Sequence, residues 1–197
     1  MKSPRRPRAI PVIPGKDLAG DLDSIMMRLG EIANAWAGIE EQLCLAFCHL
    51  SGTDYETATI IFYTPSSFRG RLEIVQNLTR HSMPEAKEKQ TFLRALDKLN
   101  GLNTTRNALV HARYGYLVGN RPDGENYGLV VRVNTTPKKS EMRAEGRAQL
   151  GEMDTHLDAL GGLNQFLHFF CSWQTHEPCA IRAWAEITSI IPGTASR

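Results

Sequence analysis

Arg106, Asn107 and His111 stand within one short stretch of the segment LNGLNTTRNALVHARYGY, residues 99–116. Histidine is the residue type that takes up and releases a proton near neutral pH, which suits it to general acid–base work. Arginine stays charged and presents a planar fork of donors that matches the oxyanions of phosphate or carboxylate. The same segment spaces Asn100, Asn103, Asn107, His111 and Tyr114 at steps of 3, 4, 4 and 3, one face of a helix. Leu102, Leu109 and Ala112 take the opposite side. Asparagine is a weak helix former. A row of three therefore lines a polar cleft, meets a second subunit or faces water. Asn107 and His111 adjoin at i,i+4, whereas Arg106 lies about 140° around the helix from His111.

Other helices must carry that segment. From Asp21 to Leu50 the apolar residues Leu22, Ile25, Leu29, Ile32, Trp36, Ile39, Leu43 and Phe47 alternate steps of three and four, which predicts one long helix with a single buried stripe. Gly52 is its stop. Thr53 and Glu56 have capping-box spacing and open a short helix through Ile60, Ile61 and Phe62. Pro65, Ser66 and Ser67 break that segment and start another, with Phe68, Leu72, Val75 and Leu78 inward. Ser82 and Glu85 repeat the capping-box spacing, and the next helix, with Phe92, Leu96, Leu99 and Leu102, runs to about Arg113, Gly101 marking a bend. YGYLVG and YGLVVRV around Asp123-Gly124 read as a β-hairpin. Helical spacing resumes from about Glu141 through Leu150, Met153, Leu157, Leu160, Leu163, Leu167 and Phe170 to a stop at Pro178. Ile181, Trp184, Ile187 and Ile190 suggest a last short helix. The expected fold is all-α: a bundle of about five or six helices with one inserted hairpin at about 114–134.

The chain has 197 residues, 42% hydrophobic and 22% charged, enough to bury a core without disulfide or metal staples. It offers no membrane span. Its four cysteines, Cys44, Cys48, Cys171 and Cys179, read as reduced thiols of a cytoplasmic protein. Of the net +2, four positive charges (Lys2, Arg5, Arg6 and Arg8) fall in residues 1–8, which hold no acid, and leave −2 for residues 9–197. A basic arm on a weakly acidic body is not the footprint of a protein that coats duplex nucleic acid. Residues 1–18 read as a basic, Pro-rich flexible arm, 19–191 as a single helical domain and 192–197 as a disordered tail.

Arg106-Asn107-Ala108-Leu109-Val110-His111 is an Arg-x4-His element with a polar residue after the arginine. It resembles the motif of the HEPN superfamily, helical-bundle proteins that include many RNA-cleaving toxins and defence nucleases. The layout is similar too: a long first helix with Trp36 and Ile39-Glu40, then IFYTPSSFRGRLEIV, then the motif on a later helix. The resemblance covers roughly residues 20–175. It implies cleavage of single-stranded RNA without a metal or other cofactor, the RNA's own 2′-hydroxyl serving as nucleophile. His111 would be the acid/base, Arg106 would stabilise the phosphorane, and Asn107 would orient the imidazole or hold the phosphate. It also implies a homodimer whose motif helices flank a shared cleft, and an antitoxin as a further partner. The alternative is a non-catalytic module that binds RNA, a nucleotide or a partner protein through the same row.

Asn103, Arg113 and Tyr114 are candidate RNA contacts beside the motif. Tyr114, Tyr116 and Tyr127 have rings that can stack on unpaired bases, or else pack the hairpin on the bundle. Lys138, Lys139, Arg143 and Arg147, interleaved with Glu141 and Glu145, read as a solvated helix start that would guide RNA if the hairpin overhangs the cleft. His168, Cys171, His176 and Cys179 have the residue types of a zinc site. They fall in an apolar helical stretch, where buried cysteine is the commoner outcome, and no metal is expected. Cys44 and Cys48, one helical turn apart, read as packing residues.

Overall fold

The apolar stripe of the first helix is the spine of the structure, a computed structural model that describes residues 18–120, 126–136, 139–145 and 147–174. Helix α1 (Leu18–Ser51) buries Ile25, Ile32, Trp36, Ile39, Leu43 and Phe47. It ends as expected at Gly52, whose φ of +69° is the left-handed conformation glycine adopts without strain, and whose N–H donates to the Cys48 carbonyl at 3.0 Å. Helix α2 (Tyr55–Tyr63) starts one residue later than the spacing suggested. Its cap is Asp54, not Thr53, and the Asp54 carboxylate accepts from the Thr57 N–H at 2.9 Å. Helix α3 (Phe68–Ser82) is capped by Ser67, which accepts from the Gly70 N–H at 3.1 Å.

Helix α4 (Lys87–Val110) departs from expectation at both ends. Ser82 remains inside α3, and α4 begins after Ala86 with no side-chain cap. The buried Lys89 ammonium secures the α3–α4 corner instead, donating to the Arg80 carbonyl at 2.7 Å and to Glu85. At its far end α4 stops at Val110, so His111 is its C-cap and Arg113 opens a strand.

The expected hairpin forms the first two strands of a three-stranded antiparallel sheet, β1 (Arg113–Asn120), β2 (Asn126–Thr136) and β3 (Lys139–Glu145), in that order. Arg113 pairs with Val133 and Tyr114 with Arg132, while Val130 pairs with Glu145. The third strand corrects the helix expected from about Glu141. In Glu141-Met142-Arg143-Ala144-Glu145 the apolar residues alternate with charged ones, a period of two. Pairing there also satisfies the open backbone edge of β2. Helix α5 (Arg147–Gln174) follows. Lys139 and Arg143 are strand residues, not the start of a helix, and Lys138 lies outside the described residues. So do most of the basic arm (1–17), the segment after Pro178 and the tail at 192–197.

The fold is thus predominantly helical. No described helix is long and apolar enough to cross a membrane. α1 packs along α5 and against α2, α3, α4 and the first two strands. Phe92 of α4 stacks on Phe170 of α5 with centroids 3.7 Å apart and planes within 8°, and Phe166 lies 6.4 Å away. Trp36 of α1 meets Phe68 of α3 at 4.6 Å. His156 of α5 is buried, and burial pushes its pKa below the ordinary value against the weaker opposing pull of Glu152.

Two outcomes follow from this core. Phe92→Ala removes one partner of the stack, and urea titration should show a loss of about 3–5 kcal/mol. His156 is neutral in the folded chain, whereas in the unfolded chain it protonates near its ordinary value of about 6.5. Its contribution is therefore complete above that pH and is lost as pH falls towards the lowered native value. Urea titrations from pH 7 to 5 should show declining stability, and His156→Leu should flatten the decline. An unchanged slope would assign the decline to other groups.

Candidate active site

The last turns of α4 present the motif residues in different environments. His111 is exposed, and as C-cap its backbone N–H donates to the Asn107 carbonyl at 3.1 Å. Arg106 and Asn107 are half-buried. The Arg106 Nη1 donates to Asn107 Oδ1 at 3.0 Å, and its Cζ lies 5.8 Å from the centre of the Trp36 ring on α1. That separation is within the range of a cation–π contact. Arg106 Nε is buried without a hydrogen-bond partner, and no carboxylate among the described residues pairs with this guanidinium.

Glu40, the nearest acid to Trp36 on α1, is engaged elsewhere. Its Oε1 accepts from the Trp36 indole N–H at 3.1 Å and from Arg71 Nη2 of α3 at 3.0 Å. Arg71 in turn lies over the Tyr63 ring of α2, with Cζ 5.4 Å from the centroid. Arg106 therefore does not pair with Glu40. The result is a continuous series from Tyr63 through Arg71, Glu40 and Trp36 to Arg106 and Asn107, with two guanidinium groups for one carboxylate. An arginine whose ring and amide neighbours fix it, yet leave its charge uncompensated, is arranged to receive an anion.

The polar row is only partly preserved. Asn100 is exposed, Asn103 is half-buried one turn before Asn107, and Arg113 is exposed at the start of β1. Tyr114 leaves the row because the helix has ended. Its hydroxyl donates to the Leu109 carbonyl at 3.1 Å and ties the α4–β1 corner. Tyr116 and Tyr127 lie on β1 and β2, at Tyr116↔Val130 and Gly119↔Tyr127 of the ladder. Arg71 was not legible as a site residue. Its only local cue is its place in the first turn after Ser67, whereas its partner is 31 residues away. Trp36 and Glu40, one helical turn apart on α1, are joined by the indole hydrogen bond.

The cysteine and histidine candidates separate. Cys171 is buried, its thiol donates to the Gln42 carbonyl at 3.6 Å, and burial pushes its pKa up to about 12. Burial likewise raises that of Cys44. Neither is an activated thiolate. His168 is exposed, while His176 and Cys179 lie outside the described residues. Among the described residues no group of three His, Cys, Asp or Glu side chains is placed to hold a metal ion. No protein-family model, curated protein or solved structure matches the chain.

The Glu40 hub has a measurable consequence. Glu40→Ala leaves the Arg71 guanidinium and the Trp36 indole without their common acceptor, a loss of about 1–3 kcal/mol. Glu40→Leu combined with Arg71→Met should cost less than the two single changes added together, as a urea double-mutant cycle will show. Simple additivity would mean that the pair is not coupled.

Proposed function

We propose that this chain is a HEPN-type endoribonuclease that cuts single-stranded RNA without a metal, acting in the cytoplasm as a toxin or defence effector. The observation that carries this reading is the uncompensated Arg106 guanidinium, held on Trp36 by Asn107, on the helix that ends at the exposed His111.

RNA supplies its own nucleophile. The 2′-oxygen attacks the adjacent phosphorus, its proton passes to an imidazole, and the bond from phosphorus to the 5′-oxygen breaks. A proton returned to that oxygen completes the transfer. Arg106 faces the charge that accumulates on the non-bridging oxygens, and Asn107 keeps the guanidinium fork in register. Within one chain His111 and Arg106 point about 140° apart. A homodimer built around two copies of α4 resolves that divergence, since Arg106 of one copy then shares a cleft with the imidazole of the other. The two imidazoles would serve as base and acid. Asn103 and Arg113 extend the contact along the strand, and a cognate antitoxin would act by covering this cleft.

The same divergence favours a second reading, a module that grips RNA or a nucleotide through Arg106 and does not cut it. Incubation of a labelled single-stranded RNA in EDTA separates the two. The nuclease reading expects cleavage that His111→Ala slows about 10²–10⁴-fold and Arg106→Ala about 10²–10³-fold, with folding unchanged by circular dichroism. If the His111 variant is as active as the wild type, or neither cuts, the catalytic role is lost. Weaker binding by Arg106→Ala without any product would establish the second reading.

A further inference from the structure

Helix α2 buries Ala58 and Phe62 but turns Tyr55, Ile60, Ile61 and Tyr63 outward beside the cationic series. Tyr63 is 43% exposed and Ile60, one turn earlier on the same face, is 66% exposed. The Tyr63 ring is not a loose surface aromatic. Arg71 covers it at 5.4 Å, and Phe62 meets it edge-on at 5.0 Å and 85°. A ring fixed by a guanidinium and by a core phenylalanine keeps its remaining face open and pre-oriented. Among the described residues the Arg71 guanidinium is hydrogen-bonded through Nη2 to Glu40. Contacts through Glu40 and the buried Trp36 ring join this platform to Arg106.

We propose that Tyr63 and Arg71 form a second nucleotide subsite, in which the Tyr63 ring stacks an unpaired base of the RNA strand whose phosphate Arg106 receives. The inference rests on the RNA-directed reading of Arg106. The occupant is chosen by charge: two guanidinium groups serve a single carboxylate, an arrangement that suits a polyanion with π-faces and does little for an apolar protein partner. Base–aromatic stacking tolerates any sequence, since every base has a π-face. The subsite would therefore add affinity along the strand without selecting a base. Ile60 supplies the apolar floor beside the ring.

The test uses the full chain and a fluorescein-labelled single-stranded oligonucleotide with 2′-O-methyl groups throughout, which lacks the hydroxyl nucleophile and survives any cleavage activity. Fluorescence anisotropy should show Tyr63→Leu binding about 5- to 100-fold more weakly than the wild type. Tyr63→Phe keeps the ring and should bind as the wild type does. Equal binding by wild type and Tyr63→Leu overturns the subsite, as does a wild type that does not bind the oligonucleotide. Unchanged affinity with a changed mass in sedimentation would make the α2 face a protein contact, and overturns it as well. The nuclease reading fails separately. Binding that depends on Tyr63 with no cleavage of ordinary RNA leaves the subsite standing, and cleavage with no effect of Tyr63→Leu removes the subsite alone.

Discussion

One carboxylate oxygen, Oε1 of Glu40, holds together the three elements on which the site depends. It accepts the Trp36 indole from its own helix and the Arg71 guanidinium from α3. The first bond sets the attitude of the Trp36 ring, and the ring face is where Arg106 of α4 lies. A charge-assisted hydrogen bond contributes about 1.5–3 kcal/mol and an exposed or partly covered cation–π contact about 0.5–2 kcal/mol. These are large enough to fix side chains yet too small to have created the fold. The fold comes from the apolar stripe of α1, which brings α3 and α4 to the same side of the spine.

Fixing Arg106 in this way has an electrostatic consequence. Half-burial raises the cost of a lone guanidinium, and the usual remedy is a paired carboxylate. The only acid in the series is committed to Arg71. Arg106 has instead a ring face and an amide oxygen, both neutral, so the cation is oriented without being neutralised. Its charge remains available to an anion arriving from outside. His111 avoids enclosure differently. The helix ends one residue before it, and its backbone is bonded as a cap while the imidazole stays in solvent.

Much of this was legible from local pattern. Steps of three and four gave α1 its length, Gly52 its stop and Ser67 the start of α3, because each rests on contacts within a few residues. Thr53 was misread for Asp54 because two good capping residues are adjacent and only the backbone decides between them. Strand β3 was missed because its charged residues also fit a solvated helix start, and the pairing with β2 that settles the matter is not local. The motif residues were legible as types at a spacing. The Glu40–Arg71 and Trp36–Arg106 contacts were not, since they join helices far apart in sequence. Tyr114 was placed on a helical face that ends before reaching it.

The proposed chemistry leaves a signature in its products. Attack by the 2′-oxygen joins it to the phosphorus as the 5′-oxygen departs, so the strand ends carry a record of the nucleophile. The most direct measurement is the end-group chemistry of a single-stranded RNA after incubation with the protein in EDTA. The account predicts a 2′,3′-cyclic phosphate on one fragment and a 5′-hydroxyl on the other. Fragments bearing 5′-phosphates, or RNA that stays intact, would contradict it.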